Sequence, residues 1–297
     1  MQRRRFLKDR FAKAIMLIFT VLSILLMFFI VLALYYRSRP ILALKPLSEL
    51  LLSSSWRPLK GNFGFFPFIM GTFWVTGVSM VIAVPICILA AIYLSEYAHR
   101  KLKETLSPLI DLLSGIPSVV YGMWGVLFIV PLIKNHFAPL FGVSSTGYSV
   151  LAGGIVLAIM ICPVIVHVCI EVFKSVPREV REASLSLGAT KWQTVKHVIL
   201  RKAMPGVIAA IILGLSRALG ETMAVLMVVG NVARSPHSIF DPAYPIPALI
   251  ANNYGEMLSI PLYDSALLFA SLLLLLVVLA FNIVSQIILV KIQKYIQ

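Results

Sequence analysis

Two ionisable residues, Arg217 and Glu221, lie inside a long apolar stretch of the sequence. A charged side chain at the centre of a bilayer costs about 3 kcal/mol on insertion scales, so it usually faces a cavity, a partner or a substrate. Arginine keeps its charge and offers a planar fork of donors that matches the oxygens of an oxyanion. We therefore predict that Arg217 faces a cavity, a partner or an anionic substrate.

The spacing of these two residues leaves a second interpretation open. Four positions apart on a helix, Arg217 and Glu221 would share one face and could pair with each other. Such a pair could be a structural ion pair that locks helix packing. Alternatively, Glu221 binds Arg217 only when no anion is present, which keeps the anion site from becoming too tight for conduction.

The polar segment Ser175–Thr194 predicts two helices joined by a tight turn. Pro177 is a helix-start signal, Gly188 is a helix stop, and Thr190 with Gln193 forms a capping box for the next helix. The first helix carries a face of small and apolar residues, namely Val180, Ala183, Ser184 and Leu187. This face predicts docking into a groove on a partner, and the alternative is a helix that lies on the membrane surface.

The composition excludes a soluble or disordered chain. Apolar residues make up 60% of the 297 residues and charged residues only 13%, against about 25% charged residues in soluble domains. Long continuous apolar runs predict an all-α polytopic membrane protein, because helices satisfy their own backbone groups in lipid. Six transmembrane helices are predicted near Ala14–Tyr36, Pro67–Leu94, Pro108–Ile133, Tyr148–Phe173, Ala203–Val229 and Leu262–Val290.

The positions of the Lys and Arg residues predict the orientation of the spans. With a cytoplasmic N-terminus, 18 of them lie on the inner side and 7 on the outer side. Cytoplasmic loops carry the excess of positive charge, so both termini are predicted to be cytoplasmic. The first outer loop runs against this rule, because segment 37–60 holds five basic residues. A short amphipathic helix is predicted in the first outer loop from the apolar pieces Leu42–Leu44 and Leu47–Leu52, and another helix is predicted near Ala248–Met257.

Prolines inside the spans predict helix breaks, because each proline frees a carbonyl that a neighbour must satisfy. The prolines concerned are Pro85, Pro117, Pro131 and Pro163. Pro117, Gly122 and Pro163 are candidates for a gate whose kinked helix moves during switching. The alternative is that the small residues around Pro117 only permit close helix packing.

Three separated motifs resemble those of a known family. They are Glu182-Ala183-Ser184 with Gly188, Gly115–Gly125 and Arg217–Val225. The first resembles the Glu-Ala-Ala…Gly loop of ABC importer permeases, in the family of binding-protein-dependent transport system inner membrane components. The other two resemble the PstC-type permease subunit of bacterial phosphate importers. The sequence departs from the pattern at Ser184, where Ala is usual, and at Val198–Arg201, which lacks a proline.

The resemblance implies a fold similar to an ABC type I importer permease, with a cytoplasmic coupling helix in loop 174–202. We divide the chain into residues 1–66, with the basic arm, first span and outer loop, and the permease domain 67–297. The implied site residues are Glu182, Ala183, Ser184 and Gly188 for docking the ATPase, and Arg217, Glu221 and Thr222 for the substrate pathway. The implied partners are a dimeric ATPase subunit, a second, PstA-type permease and an extracytoplasmic phosphate-binding protein. Inorganic phosphate is the implied substrate, and the lipid of the cell inner membrane surrounds the chain.

The sequence contains no motif for ATP hydrolysis or metal binding. It has no Gly-x-x-x-x-Gly-Lys-Ser/Thr loop and no zinc-ligand spacing, and its three cysteines lie in apolar runs. We predict no cofactor, no metal, no nucleic-acid partner and no enzyme activity of the chain by itself. Three alternatives stay open: a permease for sulfate or molybdate, a secondary proton-coupled transporter that uses Glu221, and a membrane scaffold or sensor.

Overall fold

The computed structural model describes residues 2–256 and 260–296, and these residues are mostly helical. The helices are α1 Gln2–Leu44, α2 Leu47–Leu52, α3 Phe66–Tyr97, α4 Arg100–Gly115, α5 Ser118–Leu140, α6 Val150–Ser175, α7 Arg178–Ser186, α8 Lys191–Gly220, α9 Met223–Val228, α10 Ile246–Asn253 and α11 Tyr263–Ile296. Strands β1 Trp56–Arg57 and β2 Asn62–Phe63 form an antiparallel hairpin. The last turn of α3, Tyr93–Tyr97, is a π-helical turn.

Within the described residues, six helices are long and apolar enough to cross a membrane: α1, α3, α5, α6, α8 and α11. This confirms the predicted all-α fold with six spans. Helices α3 and α6 pack tightly at the centre, because a Cβ atom on Gly154 would come within 2.4 Å of Val78 Cγ1. Cys87 and Cys162 meet at the same contact with their sulfurs 2.7 Å apart, and both are free thiols.

The third predicted span, Pro108–Ile133, is wrong as a single helix. The chain is extended at Ile116 and Pro117, with ψ angles of 130° and 140°, so that α4 ends at Gly115 and α5 begins at Ser118. Pro117 disfavours helical backbone at Ile116, the residue before it. Gly115 also has a low helix propensity, which favours the end of α4 at this position. The break predicted at Pro117 is confirmed.

The fifth predicted span, Ala203–Val229, is also wrong as a single helix. Helix α8 begins earlier, at Lys191, and ends at Gly220, since Glu221 is extended with ψ 129°. The predicted breaks at Pro85 and Pro163 are wrong, because α3 and α6 continue through both prolines. Pro131 lies within α5, between two π-helical turns, so the helix accommodates it without ending.

A second hydrophobic core lies where α1 ends and α11 begins. It combines α2, the β-hairpin, α10 and the first turns of α3 and α11 around Phe65, Phe68 and Tyr263. The short helix predicted from Leu42–Leu44 and Leu47–Leu52 is correct only for its second piece, because α1 continues through Leu44 and α2 spans Leu47–Leu52. The helix predicted near Ala248–Met257 begins earlier, at Ile246, and its last predicted residue lies outside the described residues. Helix α1 extends beyond the predicted Tyr36 to Leu44.

Candidate permeation site and docking helix

The break between α8 and α9 lies near the middle of the bundle. A Cβ atom on Gly214 would come within 2.6 Å of Ile165 Cδ1, so α8 is level with the second half of α6 at this point. Gly220 follows about 9 Å further along the helix, at the helical rise of about 1.5 Å per residue. The backbone therefore leaves its helical path well inside the apolar part of the protein.

The start of α5 lies against this break. A Cβ atom on Gly122 would come within 2.7 Å of Met227 Sδ and 3.2 Å of Ala224 Cα, so the two helices touch through glycine. The Tyr121 hydroxyl donates to the Leu113 carbonyl oxygen at 2.6 Å, which ties α5 to α4 across the Pro117 break. Two discontinuous spans therefore meet at one level of the bundle.

Arg217 occupies the last turn of α8, next to the break, and its side chain is half-buried. A positive charge is stabilised there by the helix dipole. In residues 10–256 and 260–291, whose side chains the structure describes, the guanidinium has no ion-pair or hydrogen-bond partner. Its five donors are thus available to a ligand.

Glu221 does not share a helix face with Arg217, so the ion pair that the four-residue spacing left open is not formed between these two residues in this conformation. The helix ends before Glu221, whose Oε1 atom instead accepts from the Ala224 backbone N–H at 3.4 Å. Glu221 lines a small cavity with Thr72 and Thr76 of α3. The sequence analysis missed these two threonines, because single threonines within the long apolar run of α3 give no signal of a polar site.

The remaining predicted pathway and gate residues take different positions. Thr222 is half-buried in the break, and its hydroxyl donates to the Gly220 carbonyl oxygen at 3.2 Å. Pro117 directly precedes α5 at the other break. Pro163 is buried inside the continuous helix α6. Pro117 and Gly122 are therefore close to the break of α8, whereas Pro163 marks no break.

The predicted helix–turn–helix is confirmed at the end of α6. Gly188 has a positive φ of 85° and Thr190 caps the next helix through the capping box with Gln193. Glu182 and Ala183 are exposed, Leu187 is 90% exposed, and no residue of α7 is buried. The predicted docking face is divided, because Val180 and Ser184 are half-buried against the protein while Ala183 and Leu187 remain exposed.

Helix α7 is fastened to the bundle by polar contacts that the sequence analysis missed. Arg181 donates to both carboxylate oxygens of Glu96, at 2.9 and 3.3 Å, and also to the carbonyl oxygens of Phe173 and Val176. The hydroxyls of Ser184 and Thr194 lie 2.9 Å apart. The amino group of Lys191 lies 4.6 Å from the ring centre of Tyr97. The contacts with Glu96 and Tyr97 join α7 and its turn to the π-helical end of α3, and the other contacts join α7 to the end of α6 and the start of α8.

Two solved structures have a fold similar to that of this chain. One is a chain of the MetNI methionine ABC transporter in an inward-facing conformation, with a TM-score of 0.55 and 20% identity over 84% of this chain and 98% of that chain. Another is a chain of a bacterial alginate ABC transporter in complex with its periplasmic protein, with a TM-score of 0.56 and 16% identity over 78% and 81%. The fold is that of ABC importer permeases.

The chain belongs to the family of binding-protein-dependent transport system inner membrane components, whose sequence pattern matches residues 83–296. It is 43% identical over 210 residues to the probable ABC transporter permease protein YqgH of Bacillus subtilis, covering 70% of this chain and 66% of that protein. It is 37% identical to the phosphate transport system permease proteins PstC of Xylella fastidiosa and Haemophilus influenzae, over 82% of this chain and 78% and 81% of those proteins. The chain is therefore a multi-pass inner membrane permease subunit, and membership of this family implies an ATPase, a second permease and a substrate-binding protein.

Proposed function

We propose that the chain is the PstC-type permease subunit of an ATP-driven importer of inorganic phosphate. The observation that carries this proposal is its 37% identity to phosphate transport permeases over 82% of its length. The chemistry of the break supports it, because a half-buried guanidinium without a partner among the described side chains suits a multivalent oxyanion. The implied partners are a dimeric ATPase, a PstA-type permease and an extracytoplasmic phosphate-binding protein.

In this proposal, phosphate passes Arg217 at the level where α8 and α5 are both interrupted. An ion that crosses lipid needs a compensating charge that also lets it leave. A single arginine in the last turn of α8 provides that charge without surrounding the ion with further ligands. Glu221, turned toward Thr72 and Thr76 in this conformation, is close enough in sequence to compete for Arg217 once the break rearranges.

The ATPase docks on α7 and drives the rearrangement. Leu187 and Trp192, exposed by 90% and 52%, offer it an apolar contact beside the acidic Glu182. Motion of α7 reaches α3 through Arg181 and Glu96, and α3 continues to Thr72 and the cavity at Glu221. Helix α3 therefore acts as a rigid connection between the docking helix and the break.

We propose the orientation of the chain in the membrane from helix packing and charge. The amino-terminal end of α1 lies on the side of α7, because its other end contacts the start of α11 through Ile41 and Ser265. The excess of basic residues on that side supports a cytoplasmic location for both termini and α7.

The experiment is uptake of radiolabelled phosphate by vesicles that contain the chain with its ATPase, second permease and binding protein. The expected result is ATP-dependent uptake of phosphate in preference to sulfate and molybdate. Preferred uptake of sulfate or molybdate would overturn the substrate. Uptake by the chain without the ATPase would favour a secondary transporter that uses Glu221.

A further inference from the structure

Among the described residues, the five basic residues of segment 37–60 do not all have partners within the protein. Lys45 pairs with Glu49 at 2.7 Å, and Arg37 lies 4.0 Å from Asp264. Arg39 lies over the rings of two tyrosines of α1, at 5.8 and 5.6 Å from their centres. In the part of the chain whose side chains are described, three of the five basic residues are thus accounted for.

The remaining two, Arg57 and Lys60, lie at the tip of the β-hairpin and are exposed. No ion pair or side-chain hydrogen bond is present for either residue among the described side chains. Between them lies Leu59, which is 88% exposed, in a single turn of 3-10 helix closed by Gly61 with φ 70°. Burial of a leucine side chain gains about 1.5–3 kcal/mol, so a surface that offers both apolar contact and anionic groups would stabilise this tip.

The hairpin is held firmly at the level where two spans end. Trp56 packs edge-on against Phe68, Phe65 and Phe63 with ring centres 4.8, 5.4 and 5.6 Å apart. Its ring centre is also 6.2 Å from that of Tyr263, the first residue of the last span. Tryptophan and tyrosine are enriched at the membrane interface, so this contact marks the level of the lipid headgroups.

We infer that the hairpin tip, residues Arg57–Lys60, is a lipid-binding element. Leu59 enters the acyl boundary of the adjacent leaflet, while Arg57 and Lys60 bind phosphates of anionic phospholipid headgroups. The charge, the exposed apolar residue and the interfacial level all match a phospholipid surface. This assignment explains two of the five basic residues that contradict the positive-inside pattern, and it holds whichever solute the chain transports.

The test is fluorescence quenching in the assembled transporter, reconstituted into vesicles of phosphatidylglycerol or of phosphatidylcholine. An environment-sensitive fluorophore is attached to Leu59→Cys, and the native chain treated with the same reagent corrects for labelling of its own cysteines. Brominated lipid is expected to quench the label strongly in phosphatidylglycerol and several-fold less in phosphatidylcholine. The paired change Arg57→Gln with Lys60→Gln should lower quenching several-fold, whereas Arg234→Gln, on another exposed outer segment, should leave it unchanged.

Two results would overturn the inference. A label that brominated lipid does not quench would place the tip in water, where it would be accessible to a soluble partner. Quenching of equal strength in both lipids and in the paired variant would show apolar insertion without phosphate binding. The comparison of the two lipids uses the labelled chain that keeps Arg57 and Lys60. The test therefore stays decisive even if the paired variant fails to assemble.

Discussion

Arg181 of the docking helix and Glu96 at the end of α3 form a two-pronged ion pair, with nitrogen-to-oxygen distances of 2.9 and 3.3 Å. Both side chains are largely buried, with 19% and 11% of their surface exposed. The guanidinium also holds two carbonyl oxygens at the end of α6. One arginine therefore connects α7, α6 and α3.

Loss of this connection should uncouple ATP hydrolysis from transport. For Arg181→Gln, we expect the phosphate transported per ATP hydrolysed to fall about two- to thirtyfold, in the range found for residues that couple distant sites. ATP hydrolysis itself should continue, because the docking surface around Leu187 is unchanged. The measurement is the ratio of uptake to ATP hydrolysis in reconstituted vesicles.

Arg178→Gln is the matched control for this prediction. Arg178 lies at the start of the same helix and is exposed, so its replacement should leave the ratio at the native value. If both substitutions lowered the ratio equally, the total charge of α7 would matter, and not the ion pair between Arg181 and Glu96.

The exposed apolar residue of the docking turn should contribute directly to ATPase binding. Leu187→Ser removes an apolar side chain whose burial against a partner contributes about 1.5–3 kcal/mol, so the ATPase should bind at least about tenfold more weakly. The measurement is the affinity of purified ATPase for the membrane subunits. Leu59→Ser removes the same side chain at the opposite end of the bundle and should not change this affinity; a parallel loss there would argue against docking at Leu187.

Close contact between α5 and α9 at Gly122 should be essential for the break to keep its shape. For Gly122→Val, the added side chain meets the Ala224 backbone 3.2 Å away. Overpacking of this kind costs about 1–3 kcal/mol, so the melting temperature of the purified complex and phosphate uptake should both fall. Gly77→Val is the control, because nothing lies within 4 Å of a Cβ atom there. Uptake at the native rate by Gly122→Val would exclude this contact from the pathway.

Local signals in the sequence predict a large part of this structure. Apolar runs locate the spans, and Gly188 with the capping box at Thr190 and Gln193 locates the docking turn. These features depend on residues that are near one another in the chain, so pattern and capping chemistry are sufficient to predict them.

The missed features depend on residues that are far apart in the chain or on backbone geometry with no strong local signal. Glu96 and Arg181 are separated by 85 positions, and no spacing rule connects them. No proline marks the end of α8 at Gly220, so the sequence wrongly placed Arg217 and Glu221 on one helix face. The partners of the outer basic residues, such as Asp264 for Arg37, likewise emerge only from the packing of α1 on α11.

The most direct test of the account is phosphate uptake by variants of Arg217 in the fully assembled, reconstituted transporter. We expect Arg217→Gln to lower ATP-driven uptake more than about tenfold, because a desolvated anion loses its charged hydrogen bonds. Arg217→Lys should retain part of the activity, since it keeps the charge but loses the planar fork. Arg201→Gln, at an exposed position of the same helix, should behave as the native chain. Native uptake by Arg217→Gln, in a complex that assembles and hydrolyses ATP normally, would contradict the account.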